Sequence, residues 1–92
     1  MSAEFVILAP DVARSAKGFT VVFHPAGGVD YSDGISGTIR IATELYQKPL
    51  RHVVYRNSTD LAGMTASRAE EILENVKRAI EFLGRPVEIS SE

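Results

Sequence analysis

The stretch that most constrains the fold covers residues 65–90, TASRAEEILENVKRAIEFLGRPVEIS. With residues 100° apart on a helix, Ala69, Ile72, Leu73, Val76, Ala79, Ile80 and Leu83 gather within roughly 120°. Glu70, Glu71, Glu74, Lys77, Arg78 and Glu81 fall opposite. Two starts compete. Ser67 with Glu70 has capping-box spacing, whereas Thr65 as cap lets Met64 staple onto Ala69. Burying the five large aliphatics contributes roughly 1.5–3 kcal/mol each, on the order of 10 kcal/mol before conformational entropy. The exposed Glu74–Arg78 pair adds only about 0.3–0.5 kcal/mol. Gly84 sits where a left-handed C-terminal residue belongs, and Pro86 prevents continuation. Val87 and Ile89 then alternate with Glu88 and Ser90 as in a half-buried strand. A helix with so wide an apolar arc requires a sheet to lie on.

The preceding chain supplies strands. Phe5 to Ala9 reads as a buried first strand, and residues 11–18 as a loop or one loose helical turn. In residues 19–24, Phe19, Val21 and Phe23 alternate with Thr20, Val22 and His24, and residues 25–28 form a turn. Residues 29–32 resume as a strand, Asp33-Gly34 signals a hairpin, and residues 35–43 follow as the next strand. Residues 44–49 form a connection in which Pro49 excludes a central strand. In residues 51–57, Val53 and Tyr55 face one way, and His52, Val54 and Arg56 the other. Residues 57–65 are a polar loop. The expected class is α+β in a single domain over residues 1–92. An antiparallel meander of about five or six strands is covered on one face by the long C-terminal helix. A short final strand then slots beside one of the meander strands.

Composition narrows function by exclusion. The 92 residues contain no cysteine, which removes disulfides and thiolate chemistry, so the core rests on a 45% hydrophobic content. A net charge of −2 argues against general nucleic-acid binding. No leader or membrane span is read, and a cytoplasmic location is expected. His24 and His52 lie on different strands without ligand spacing, so neither a metal site nor a cofactor is expected. Serines and threonines are present without a nucleophile elbow. Residues 24–28 (HPAGG) fit a turn better than an oxyanion loop. Residues 34–37 (GISG) lack the lysine and following helix of a phosphate cradle. Lys48, Arg51 and Arg56 read as a solvated edge. Catalysis is therefore not expected, and binding remains. Tyr31, Tyr46, Tyr55 and Phe82 are the aromatic candidates, although Phe82, on the flank of the helical arc, also fits an aromatic lapping over the sheet edge. The selected partner-binding residues are Tyr55, Arg56, Asp60, Glu70, Glu71, Glu74 and Phe82.

Two segments, GVDYSDGISGTIRIATEL (residues 28–45) and AEEILENVKRAIEFLGRPVEIS (residues 69–90), resemble the immunity protein 74 family of bacterial polymorphic-toxin systems. The similarity rests on Tyr31, Asp33, Ile39, Ile41, Glu44, Leu45, Ile72, Asn75, Ala79, Phe82, Gly84 and Val87. Residues 57–65 depart from the family in having neither a tryptophan nor a proline. The resemblance implies a small inhibitor that binds a cognate toxin protein without catalysis. The alternative is a regulatory or assembly module that binds another protein, or a second copy as a homodimer, through a sheet edge.

Overall fold

The computed structural model describes residues 4–24, 27–34, 37–57 and 59–90. Its strands in chain order are β1 (Phe5–Ala9), β2 (Val12–Ser15), β3 (Thr20–His24), β4 (Gly28–Ser32), β5 (Thr38–Ile41), β6 (Thr43–Gln47) and β7 (Leu50–Val54). A short helix α1 (Thr59–Ala62), the long helix α2 (Ala66–Phe82) and β8 (Val87–Ile89) complete the chain. β1 to β5 form an antiparallel meander in sequence order, and β6, β7 and β8 form a second sheet. The α+β class, the meander, the long helix and the closing strand are as the sequence predicts. Residues 25, 26, 35 and 36 of the predicted turn and hairpin strand lie outside the described residues.

α2 carries out the task its arc sets. Ile72, Leu73, Val76, Ala79 and Ile80 are buried, with Ala69 and Leu83 packed at the margins. They meet Phe19, Val21 and Phe23 of the β3 stretch, and Val29, Tyr31, Ile39 and Ile41 of β4 and β5. Thr65 is the N-cap: its hydroxyl accepts from the Arg68 N–H at 3.2 Å, which leaves Glu70 free to pair elsewhere. At the other end Gly84, at φ 86°, donates to the Glu81 carbonyl, and Arg85 N–H reaches the Ile80 carbonyl. These two bonds form a Schellman closure, which requires the left-handed residue. Side chains tie the helix to the sheet. Asn75 donates to the Tyr31 hydroxyl at 3.3 Å, Arg68 bridges Asp33 and Glu71, and Arg85 grips both carboxylate oxygens of Asp11 at 3.0 and 3.1 Å. Hydrogen bonds to Glu71 and then Asp33 hold the Arg68 guanidinium above its ordinary value.

Four sequence expectations are corrected. Residues 11–18 contain β2, whose core-facing residues are Ala13 and Ser15. The small side chains let α2 approach closely, and they also remove the apolar signal by which strands are recognised. Residues 44–49 contain most of β6, largely exposed and therefore without alternation. β1 is an edge strand, not a buried one: only Phe5 is buried. The strand expected over residues 51–57 as part of the meander is β7, which instead joins β6 in a second sheet; β8 slots beside it, in parallel because α2 crosses over between them.

β5 and β6 are nearly one strand, interrupted at Ala42, whose carbonyl accepts from Tyr55 N–H at 2.9 Å. The first half pairs with β4 and the second with β7, so a single run of chain serves two sheets. At this junction Gly28 has φ 100°, which strains any side chain, and a Cβ there would lie 3.0 Å from the Ile41 carbonyl oxygen, a tight contact against backbone.

His52 is buried edge-on against Phe23, with ring centroids 4.8 Å apart. Its Nδ1 has no hydrogen-bond partner among the described residues. Burial, followed by the nearby Arg85 cation, holds its pKa below the ordinary value. The unfolded chain therefore takes up a proton near pH 6.5 that the folded imidazole resists, and stability falls as pH drops below about 6.5. Denaturant midpoints are expected to decline between pH 7 and pH 5 in the native chain, and His52→Leu to flatten that decline. Leu73→Ala is expected to cost about 2–5 kcal/mol in urea unfolding, while Glu74→Ala on the wet face stays within about 0.5 kcal/mol.

Candidate protein-binding face

The second sheet has one face on the core and one turned away from α2. On the inner face Val54 belongs to the core, and Val87 and Ile89 pack against it. Cross-strand register sets Glu44 opposite Val53, Tyr46 opposite Arg51, and Val53 beside Glu88. Strand alternation then places Glu44, Tyr46, Arg51, Val53 and Glu88 together on the outer face, with Tyr55 just beyond β7. The β6–β7 turn is Lys48-Pro49, joined by a cis peptide bond.

These side chains hold one another. The Arg51 guanidinium lies 4.8 Å from the centre of the Tyr46 ring, and its Nε pairs with Glu88. Arg51 Nη1 also donates to the Pro49 carbonyl at 3.0 Å. The Tyr46 and Tyr55 hydroxyls are 3.2 Å apart, and the Tyr55 hydroxyl donates to Glu44 at 2.5 Å. The hydrogen bond to the Glu44 carboxylate, followed by that with Tyr46, pushes the Tyr55 phenol well above the ordinary tyrosine value. At the centre Val53 is only 7% exposed, sheltered by these longer neighbours. A dry apolar centre ringed by tyrosine, arginine and carboxylate is the composition of an interface anchor.

Tyr55 separates two clefts. One, of about 440 Å³, is lined by Tyr46, Arg51, Val53, Tyr55, Glu88 and Ile89 among others. The other, of about 550 Å³, includes Arg40, Thr43, Tyr55, Asn57 and Asp60. Beside it Arg40 donates to Asp30 at 2.5 and 3.3 Å and to the Gly27 carbonyl at 2.9 Å, while His24 Nε2 lies 3.0 Å from Asp30. Burial raises the Asp30 carboxyl, but the bonds from Arg40 and then His24 outweigh it and hold it below the ordinary range. Asp30 is thus held ionised between the Arg40 guanidinium and the His24 ring.

The residues selected from sequence separate into three places. Tyr55 and Asp60 line the same cleft, and Asp60 accepts the Arg40 N–H at 2.8 Å, anchoring α1 beside β5. Arg56 lies on the helix side, where it pairs with Glu70 and donates to the Ser90 carbonyl at 3.0 Å. Glu71 and Glu74 are paired as well, with Arg68 at 2.6 Å and Arg78 at 3.7 Å. The acidic helix face is therefore a row of neutralised pairs, a weak beacon for a cationic partner. Phe82 lies across the molecule, its ring 5.4 Å from that of Phe5, and laps over the sheet edge. Tyr31 is buried against Phe19 and is a core residue, its phenol raised chiefly by burial. Sequence reasoning did not select Glu44, Arg51 or Glu88 for this face. The signal that could have found Glu44 and Arg51 is the spacing 44, 46 and 51, 53, 55, visible once β6 is recognised as a strand; Glu88 joins them only through the pairing of β8 with β7.

Among the described residues no group of three or more His, Asp or Glu side chains is arranged to hold a metal ion. No helix among them is long and apolar enough to cross a membrane. No family model, curated protein or solved structure matches the chain. In an alkaline absorbance titration Tyr55 is expected to ionise late, and Glu44→Gln to bring it back toward about 10.

Proposed function

We infer that the protein is a small cytoplasmic immunity protein that neutralises a cognate bacterial toxin domain by direct binding, without catalysis. The observation that carries the binding part is the outer face of β6, β7 and β8. Tyr46, Tyr55 and Arg51 are fixed there by mutual contacts around the sheltered Val53, with a cleft on either side of Tyr55. Tyrosine and arginine dominate interface energetics because each brings a large, partly apolar surface with a polar end. Their contacts within the free protein restrain rotamers before the partner arrives and so reduce the ordering cost of association. The toxin as partner rests on the resemblance of residues 28–45 and 69–90 to immunity protein 74. The Arg51–Glu88 pair at one side and Asp60 at the other give the tyrosines a polar border, which suits a partner with a polar rim.

Co-expression with the toxin encoded directly upstream tests the reading. The chain is expected to restore growth and to copurify with that toxin. Tyr46→Ala and Arg51→Ala are each expected to weaken the complex by about 2 kcal/mol or more, close to thirtyfold, without unfolding the chain. If growth is not restored and no adjacent toxin is captured, the toxin reading is lost.

A further inference from the structure

The five-stranded sheet treats its two edges differently. At β5 the chain covers itself: α1 packs alongside, and the Asp60 carboxylate takes the Arg40 N–H. At β1 the only hydrogen-bonded neighbour among the described residues is β2. Ala16 N–H donates to the Glu4 carbonyl at 2.8 Å, so 4 and 16 form a hydrogen-bonded pair. Antiparallel alternation makes Val6 with Arg14 the next such pair. The N–H and C=O groups of Phe5 and Ile7 therefore point away from β2, along the open edge.

The side chains on that edge are as unusual as its backbone. Val6, Ile7 and Leu8 are 57%, 56% and 56% exposed, and Phe82 beside Phe5 is 42% exposed. No charged residue lies between Glu4 and Asp11. The other uncovered strands, β6 and β8, carry Glu44 and Glu88, the kind of charge that discourages pairing. β1 is limited only at its ends, by Glu4 on one side and by the irregularity after Ile7 and Pro10 on the other.

We propose that β1 pairs antiparallel with β1 of a second copy, forming a homodimer through a continuous ten-stranded sheet. The two-fold axis runs perpendicular to the sheet between the two Val6 residues. Phe5 of each copy then exchanges backbone hydrogen bonds with Ile7 of the other, using the four outward-pointing groups that β2 does not engage. The occupant is a second copy because one two-fold operation pairs the outward groups of Phe5 and Ile7 with their own counterparts and sets the apolar side chains of β1 against each other. Val6 meets Val6 on the outer face. On the helix face Ile7 and Phe82 of both copies converge over the seam, since such an axis keeps both α2 helices on the same side. The uncharged strand sets apolar against apolar, and Glu4 is already engaged by Lys17 and Arg78 at 3.8 and 3.7 Å. Three-residue pairing with two phenylalanines makes a small interface, so the dimer is a weak, concentration-dependent one. This surface is separate from the outer face of β6, β7 and β8, and the pairing stands whether or not the protein neutralises a toxin.

Sedimentation equilibrium of the full chain over a concentration series, together with hydrogen exchange, tests the pairing. The mass is expected to rise from 10.0 kDa towards twice that value. The Phe5 and Ile7 amides should gain protection in step with the mass, while the Val6 amide is protected throughout by β2. Ile7→Lys is expected to raise the dissociation constant about tenfold or more by setting a charge against Phe5 of the other copy in an apolar seam. Leu50→Lys, at an equally exposed apolar site elsewhere, should leave it unchanged, and both variants should keep the native circular dichroism. A chain that stays monomeric up to millimolar concentration overturns the proposal. So does a dimer indifferent to Ile7→Lys, or one whose Phe5 and Ile7 amides exchange freely. Protection of those amides that appears only when a different protein is added overturns self-pairing in favour of a foreign strand.

Discussion

Burial of the α2 arc against the meander is the interaction on which the rest of the molecule depends. Five helix residues are removed from water together and meet a sheet face built from alternate positions of β3, β4 and β5. The approach is close because β2 offers Ala13 and Ser15 where larger residues would hold the helix off. Polar contacts then set the orientation: Arg68 to Asp33 near the start, Asn75 to Tyr31 midway, and Arg85 to Asp11 past the end. Each of these contributes little as an isolated surface contact, but together they select one rotation of the helix on the sheet.

A second constraint follows from the first. α2 returns the chain to β8, which lands parallel to β7 and so enlarges a sheet that has only the interrupted β5–β6 strand in common with the meander. One helix covers the meander and one face of this second sheet. Its other face remains in contact with water, and it can hold Tyr46, Arg51 and Tyr55 without any cost to the core. Core packing and the proposed recognition surface thus occupy opposite sides of three short strands. The two sheet edges show a similar division: one is closed by α1 and an aspartate, and the other is apolar and pairs, among the described residues, with β2 alone.

The sequence made α2 and its termini legible because helix periodicity, capping and the Gly84 stop are local properties. It also made β3 and β4 legible, where large residues alternate with polar ones. It concealed β2 and β6 for opposite reasons. The core-facing positions of β2 are small because the helix presses on them, and β6 lies too far out for any layer to impose alternation. Tyr55 and Asp60 were recognisable as an aromatic and an acid near the loop, yet their shared cleft depends on the bend at Ala42. Glu70, Glu71 and Glu74 read as an open acidic face, and only the folded chain brings Arg56 and places Arg68 to neutralise two of them.

Local chemistry alone dictates the capped amphipathic helix, the run of meander strands it covers and the short strand after Gly84. Each follows from forces acting within a few residues or from a periodicity that needs only a generic apolar partner. Long-range packing chooses which strand receives β8, where the strand after the hairpin changes sheets, and which tyrosines stay outside. Those outcomes depend on pairings between residues tens of positions apart, chosen by how one helix packs over all the strands at once.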